Sequence, residues 1–196
     1  TDVDGAEEEP ERAARINAEA PRVLAEAARA VEAWLVHYST DYVFGGGKRA
    51  PYTEADAPSP ISVYGRTKRD GEAAIQAVGG RHVILRTSWM YSRRRSNFVR
   101  TMLGLAREND RLTVVDDQIG VPTWAGWCAE ATASVCERLL AGDDTPEAGC
   151  YHLAGTGQTS WYGLARAVFA QFGRTDVTVE PVSSGEYETA APRPAY

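Results

Sequence analysis

The stretch Trp34-Leu35-Val36-His37-Tyr38-Ser39-Thr40-Asp41-Tyr42-Val43-Phe44 decides the fold of this chain. Its first five residues form an apolar run typical of a short buried strand, so Thr40 falls at the carboxyl end of that strand. Open α/β sheets bind their ligands at the carboxyl ends of the strands. We therefore predict that Thr40 lies at the mouth of a crevice.

A second motif, Tyr64-Gly65-Arg66-Thr67-Lys68, follows a proline-rich segment. In a helix, Tyr64 and Lys68 stand one turn apart on the same face, where an ammonium group favours the phenolate form of a nearby tyrosine. Such a phenol can give a proton to a carbonyl oxygen that gains charge as a hydride reaches its carbon, while the Thr40 hydroxyl holds the same oxygen. The three residues suggest carbonyl reduction. The alternative is a core tyrosine beside a surface lysine, which is the commoner origin of this spacing.

Composition narrows the class of partner. The 196 residues carry 21 Lys and Arg against 27 Asp and Glu, a net charge of −6, which argues against nucleic acid or an anionic membrane but allows a local site for an anionic substrate. The three cysteines, Cys128, Cys136 and Cys150, lack CxxC spacing, so we expect neither a disulfide framework nor a zinc site. With no membrane-length apolar run and no signal peptide, a cytoplasmic protein is predicted.

Strand and helix patterns alternate along the chain, which predicts the α/β class. The acidic opening, 1–9, is predicted to be a solvated loop, and Pro10 to begin a helix. Apolar residues recur in that helix at helical spacing, at Ile16, Val23, Leu24, Ala27 and Val31, and we predict that the helix packs beside the strand at Trp34. Further strands are predicted at 82–86, 112–115 and 150–153, and helices at 64–79, from Asn97, at 124–139 and at 161–172. The segment 155–160 lacks the last glycine of a dinucleotide fingerprint, so we interpret it as a helix entry capped by Thr159 or Ser160.

Five segments taken together resemble the dTDP-4-dehydrorhamnose reductase family, which belongs to the extended short-chain dehydrogenases/reductases. They are STDYVF, PYTEADAPSPISVYGRTKRDGE, ILRTSWMY, NFVRTML and VVDDQIGVPT, in this order. The resemblance implies a partial Rossmann-type parallel sheet in 1–91, without the cofactor fingerprint, and a smaller substrate-binding lobe mainly in 92–196. The chain departs from the family at Gly45, where an aspartate is typical.

The same resemblance assigns the site residues. It implies that Tyr64 is the proton donor, that Thr40 orients the ketone, and that Lys68 both tunes Tyr64 and, with it, binds the cofactor. Trp89 is expected to pack on the sugar, although a strand-end tryptophan is more often core. Asn17 is either an active-site residue or a helix-surface asparagine, and Arg193 contacts substrate phosphates or is a surface arginine. The implied substrate contacts are Asp41, Tyr42, Trp89, Asn97, Gln118, Thr123 and Arg193.

The function implied is reduction of the C4 ketone of a dTDP-linked 6-deoxysugar by NADPH or NADH. Mg²⁺ is possible in the family, but the sequence offers no metal site, since Asp116 and Asp117 have no histidine near them. Alternatives are a related ketosugar reductase of natural-product biosynthesis and a non-catalytic subunit with the same fold. We expect a monomer or homodimer. Since the resemblance predicts a chain truncated at both ends, we also expect weak cofactor binding by these residues alone.

Overall fold

The structure, a computed structural model, describes residues 2–142 and 146–196. Helices and strands alternate through most of the chain. The helices are α1 (Val3–Glu8), α2 (Pro10–Ala14), a π-helical segment (Arg15–Glu19), α3 (Ala20–Ala30), a 3₁₀ turn (Asp41–Val43), α4 (Val63–Val78), α5 (Phe98–Leu105), α6 (Ala125–Leu140) and α7 (Trp161–Gln171). The strands are β1 (Leu35–Thr40), β2 (His82–Thr87), β3 (Met90–Tyr91), β4 (Arg111–Val115), β5 (Ile119–Gly120), β6 (Thr123–Trp124), β7 (Gly149–His152), β8 (Thr159–Ser160) and β9 (Thr178–Val182).

A three-stranded parallel sheet, in the order β1-β2-β7, forms the first lobe. The register places Thr40 beside Thr87 and Arg86 beside His152, so the carboxyl ends of all three strands meet at one edge. The central strand β2 is the most buried, with Val83 and Ile84 fully enclosed. The predicted α/β class is confirmed, and the predicted strand that ends at Thr40 is present.

Helix α4 positions the motif that carries Tyr64 and Lys68. Ser62 caps its first turn by accepting a hydrogen bond from the Gly65 amide at 3.1 Å, and Gly79 ends it in the left-handed region at φ 70°. Its buried side packs Ile75 against Ile84 of the sheet. The cap therefore fixes the start of α4 and with it the positions of the Tyr64 and Lys68 side chains.

The predicted helix from Pro10 is present as α2, the π-helical segment and α3, and α3 contacts β1, but several of its apolar residues are exposed. Ile16 is 59% exposed and Val31 is 73% exposed, while Ala25 is buried. The reason is the close approach of this helix to α4: a Cβ atom on Gly71 would lie 2.0 Å from the Asn17 carbonyl oxygen. Only small side chains fit between helices at that separation, so the large apolar residues point outward.

The acidic opening is a helix and not the predicted loop. Asp2 accepts a hydrogen bond from the Gly5 amide at 2.9 Å, and this cap begins α1. Ala6 of α1 is buried against Tyr64 and Ala13. The acidic residues were read as a sign of solvation, whereas Asp2 is the residue type that starts a helix.

The second lobe has its own core around α5, α7 and the parallel pair β4-β9. Ser160 caps α7 by accepting from the Gly163 amide at 2.9 Å, which confirms the predicted helix entry. The chain also returns to the first lobe, because β7 joins the sheet and Leu139 of α6 packs on it. The division at residue 91 remains a prediction. The buried members of the second core are Met102, Ala106, Val114, Ala165, Val168 and Phe169.

Candidate active site

A cleft of about 1070 Å³ opens at the carboxyl end of β1 and brings the predicted catalytic residues together. Thr40 is the last residue of β1, and Tyr64 and Lys68 enter from the first turns of α4. Four of the predicted substrate residues also line this cleft: Asp41, Tyr42, Trp89 and Asn97. The structure therefore gathers seven side chains from four separate segments.

Two acceptors on β1 hold the Lys68 ammonium. Its Nζ donates to the Tyr38 carbonyl oxygen at 2.7 Å and lies 3.1 Å from His37 Nε2. Because an ammonium only donates, His37 Nε2 must accept, so this imidazole is neutral with its proton on Nδ1. One N–H of Lys68 then remains for a ligand. His37 was not predicted as a site residue. The feature of the sequence that pointed to it was its position on the same strand as Thr40, three residues earlier.

Burial shapes the charges on this side of the cleft. Burial lowers the pKa of Lys68, while the nearby Glu72 carboxylate opposes that change. Burial, and then the charge of Lys68, lower the pKa of His37 to about 4, which agrees with a neutral imidazole at physiological pH. The lysine is therefore held by acceptors that do not titrate near neutrality.

The Thr40 hydroxyl has a different environment. It donates to Asp41 Oδ1 at 3.0 Å and accepts from the Tyr42 amide at 3.2 Å. Burial raises the pKa of Asp41 to about 6, although bonds from Thr40 and from backbone amides oppose the change. The threonine side of the cleft therefore depends on a carboxyl group that titrates close to neutral pH.

Packing fixes the Tyr64 ring. Tyr64 is 8% exposed, and Tyr42 meets it edge-on with the ring centroids 5.7 Å apart. Burial and the Asp41 charge raise the pKa of Tyr42 to about 12, so Tyr42 remains a neutral phenol. Neighbouring Asn17 lies in the π-helical segment and donates from Nδ2 to Thr67 Oγ1 at 3.1 Å. Asn17 is thus tied to the α4 turn that carries Tyr64.

Trp89 is part of an aromatic stack. It adopts a positive φ of 39°, rare for a large side chain, and its ring stacks on Trp161 with centroids 3.5 Å apart. Trp161 in turn donates from Nε1 to Gln118 Oε1 at 3.2 Å. Both tryptophans line the cleft, whereas the buried Gln118 and Thr123 do not. Trp161 was not predicted as a site residue, and contact with substrate at Gln118 and Thr123 stays a prediction.

The far end of the cleft is cationic. Asn97 caps α5, accepting from the Arg100 amide at 3.3 Å and donating to the Ser92 carbonyl at 2.8 Å. Arg94 and Arg95 beside it line the cleft, although neither was predicted as a site residue. Two guanidinium groups and a helix N-terminus together favour an anionic group at this end.

Arg193 does not line the cleft. Its guanidinium pairs with Asp4 of α1 at 2.8 Å and also donates to the Ala191 carbonyl at 3.1 Å. Hydrogen bonds between the two partners raise the pKa of Arg193 and lower that of Asp4. The pair fastens the C-terminal segment to α1, and a contact of Arg193 with substrate phosphates stays a prediction.

A buried ion pair lies behind the cleft. Arg86 donates from Nε and Nη2 to the two Glu72 oxygens at 2.9 and 2.6 Å, and both side chains are less than a tenth exposed. Arg86 Nη1 and His152 Nε2 are buried without a protein partner among the described residues. Both residues line a second pocket of about 330 Å³, whose wall includes Asp41.

Comparison with known proteins places the chain in a family. The model of the family described as RmlD substrate binding domain matches residues 1–196. The chain belongs to this family. It is 45% identical to the dTDP-4-dehydrorhamnose reductase of Sinorhizobium fredii, covering 100% of this chain and 67% of that protein. It is 42% identical to a probable dTDP-4,6-dihydroxy-2-methyloxan-3-one 4-ketoreductase of Streptomyces antibioticus, covering 100% of this chain and 65% of that one.

A solved RmlD-family structure agrees with the fold. The dTDP-4-dehydrorhamnose reductase of Bacillus anthracis, in complex with NADP, superposes with a TM-score of 0.87 at 39% identity, covering 100% of this chain and 67% of that one. The chain thus spans about two thirds of the length of these relatives. The predicted family membership and Rossmann-like architecture are confirmed.

The cleft fits one end of a reduced nicotinamide cofactor. The Lys68 N–H supplies the hydrogen-bond donor that a nicotinamide ribose requires. The Tyr64 phenol supplies the proton that a reacting carbonyl requires. Within 2–142 and 146–196 the turn most similar to a dinucleotide fingerprint, at 155–160, borders the second pocket and not the cleft. The described residues include no cluster of three metal-binding side chains, and none of their helices is long and apolar enough to cross a membrane.

Proposed function

We propose that the full-length protein reduces the C4 ketone of a dTDP-linked 6-deoxysugar with NADPH, as an NAD(P)-dependent oxidoreductase. The observation that carries the proposal is the single cleft in which Thr40, Tyr64 and Lys68 face one volume. Family membership supports the substrate class. The cationic end at Arg94 and Arg95 supports an anionic substrate, because a diphosphate needs such donors in a chain whose net charge is −6.

The residues divide the work of proton transfer. When bound, reduced nicotinamide supplies the hydride that forms the new C–H bond at C4. The carbonyl electron pair moves to oxygen, and the Tyr64 O–H bond breaks as that proton joins the oxygen. The positive charge of Lys68, one turn along α4, stabilises the phenolate, which then regains a proton from solvent. Net consumption is one hydride and one proton per ketone.

The other site residues position the substrate. Trp89, held by its stack on Trp161, forms a rigid wall of the cleft at the carboxyl end of β2. Asn97 fixes the loop that presents the arginines to the diphosphate. Direct substrate contacts of Asp41, Tyr42, Gln118, Thr123 and Arg193, a cytoplasmic location, and a monomer or homodimer remain parts of the proposal.

The test is Tyr64→Phe in the full-length protein, with loss of reduced-nicotinamide absorbance as the assay. We expect turnover of a dTDP-linked 4-ketosugar to fall about 10²- to 10⁴-fold while binding of the sugar nucleotide is kept, since the ring stays and only the acid is lost. Tyr151→Phe is the matched control, because its hydroxyl bonds the Glu147 carbonyl away from the cleft. Unchanged turnover in Tyr64→Phe contradicts the proposal.

A second candidate is a ketosugar reductase of natural-product biosynthesis, which the similarity to the Streptomyces antibioticus protein favours. It uses the same cleft and chemistry and differs in the ring substituents of the sugar. Relative kcat/KM values on ketosugars with and without a C2 hydroxyl separate the two. A wild-type protein that binds these sugars but reduces none of them supports the non-catalytic alternative.

A further inference from the structure

The Thr40 hydroxyl has fewer hydrogens than its proposed tasks require. A threonine hydroxyl carries one O–H donor and two acceptor lone pairs. The Tyr42 amide uses one lone pair at 3.2 Å, and the single O–H is directed at Asp41 Oδ1 at 3.0 Å. A ketone oxygen only accepts, so Thr40 can hold it only with that same O–H. The observed arrangement therefore leaves Thr40 unable to donate to the substrate.

The protonation of Asp41 decides which way this bond runs. An ionised carboxylate has no hydrogen and can only accept, so it keeps the Thr40 O–H. A protonated carboxyl can instead donate to the remaining lone pair of Thr40, at the same separation of the two oxygens. The Thr40 O–H is then released toward the cleft, which Thr40 lines together with Tyr64 and Lys68.

We propose that Asp41 is a positioning residue that, by taking up a proton when the ketone binds, turns Thr40 into the second hydrogen-bond donor for the ketone oxygen. This inference rests on the proposed function. It replaces direct substrate contact as the main role of Asp41, and it makes binding of a ketone a proton-linked event.

Asp41 has a route to solvent that avoids the cleft. Its side chain lies on the wall shared by the cleft and the second pocket. That pocket, of about 330 Å³, is lined by more apolar than polar surface, includes the polar side chains of Ser88, His152 and Gln158, and has room for several water molecules, each of which occupies about 30 Å³ in the liquid. A proton can then reach Asp41 while a substrate fills the cleft.

The surroundings of Asp41 make it titratable near neutrality. Burial raises its pKa to about 6, and a substrate that displaces further water from the cleft raises it more. Lys68 and the two cleft arginines oppose protonation, as does Arg86, whose charge is already paired with Glu72. Other titratable side chains line the two cavities that Asp41 adjoins, namely Tyr38, Tyr42, Tyr52, Tyr64, Tyr91, Cys128, His152 and Tyr196.

Proton uptake on binding is the decisive measurement. Calorimetry of the full-length protein near pH 7, in buffers of different ionisation enthalpy, counts protons taken up when a dTDP-linked 4-ketosugar binds without reduced cofactor. We expect clear uptake for the ketone and less for its 4-hydroxy product, because an alcohol can donate its own proton to Thr40. Asp41→Asn and Thr40→Val should each abolish the difference between the two ligands. Equal uptake for both ligands in the wild type overturns the proposal.

The pH profile is the kinetic counterpart. For the wild type, kcat/KM should fall about tenfold or more as pH rises through the Asp41 transition, since loss of one oxyanion donor typically costs about 10²- to 10³-fold. Asp41→Asn should remove that transition, because an amide group does not titrate, and Thr40→Val should lower kcat/KM at low pH to the high-pH level. A transition that persists in Asp41→Asn contradicts the inference. If the wild type reduces no ketosugar, the proposed function fails instead, so the two failures are distinguishable.

Discussion

Two carboxylates flank the catalytic residues, a buried one at Glu72 and a half-buried one at Asp41, and their hydrogen-bond partners differ. Glu72 receives two hydrogen bonds from Arg86, at 2.9 and 2.6 Å, so it is a fixed negative charge close to Lys68 and His37. Asp41 receives a hydroxyl and backbone amides, and burial raises its pKa to about 6. The hydrogen bonds around Lys68 therefore keep one arrangement, whereas the hydrogen bond between Thr40 and Asp41 depends on pH.

This difference shows why residue type alone does not define a catalytic role. The partners of Lys68 are both acceptors, so the orientation of its ammonium follows from valence. The partner of Thr40 can either accept or donate a hydrogen bond. The direction of the Thr40 hydroxyl therefore does not follow from valence and depends on the protonation of Asp41. Changing either carboxylate should have effects that differ in sign as well as in size.

The largest effect is expected at the fixed carboxylate. Glu72→Gln leaves the Arg86 guanidinium buried and without its counter-charge, which should lower the free energy of unfolding by about 3–5 kcal/mol. Urea denaturation measures this change. The double variant Glu72→Gln with Arg86→Met is the control, and it should recover most of the loss because both charges are removed. A single variant as stable as the wild type would mean that this pair is not buried in solution.

The effect at the titratable carboxylate should have the opposite sign. The folded-state pKa of Asp41, about 6, lies above its ordinary value of 3.8, so its favourable contribution is complete below pH 3.8 and is lost as pH rises through 6. Asp41→Asn should therefore stabilise the protein by about 1–3 kcal/mol at pH 7 and change little near pH 4. Thermal unfolding at the two pH values checks this, and destabilisation at pH 7 would show that Asp41 has a favourable ionic partner.

The smallest effect concerns the acceptor that orients Lys68. His37→Leu removes one of the two bonds to the ammonium, so we expect kcat to fall about three- to tenfold, since a net hydrogen bond contributes about 1 kcal/mol. His37→Gln, which restores an acceptor oxygen, should recover part of that loss. Wild-type kcat should show no transition from His37 between about pH 5 and 8, because its pKa is lowered to about 4. A histidine transition in that range would contradict the neutral tautomer.

The sequence predicted the elements whose signals are local. The run that ends at Thr40, the Tyr64 and Lys68 spacing and the Ser160 cap each depend on a few neighbouring residues, and each is present in the structure. The family motifs likewise gave the α/β class. One local prediction was wrong, because the acidic residues of 1–9 predicted a solvated loop, whereas Asp2 begins α1. The apolar spacing after Pro10 predicted a helix correctly but does not show which face a neighbouring helix covers, and Ile16 is exposed.

Only the tertiary structure decided what each side chain has available for a ligand. His37 reaches Lys68 across 31 residues and Glu72 reaches Arg86 across 14, and no spacing rule relates such pairs. Trp161 and the cleft arginines line the same cleft as Thr40 although they come from distant segments, and the pairs β3-β6 and β5-β8 are long-range contacts next to them. The sequence by itself determined which chemical groups the protein owns and the local elements that carry them. Long-range packing decided their burial, and burial sets which groups are charged and which protons are free to move.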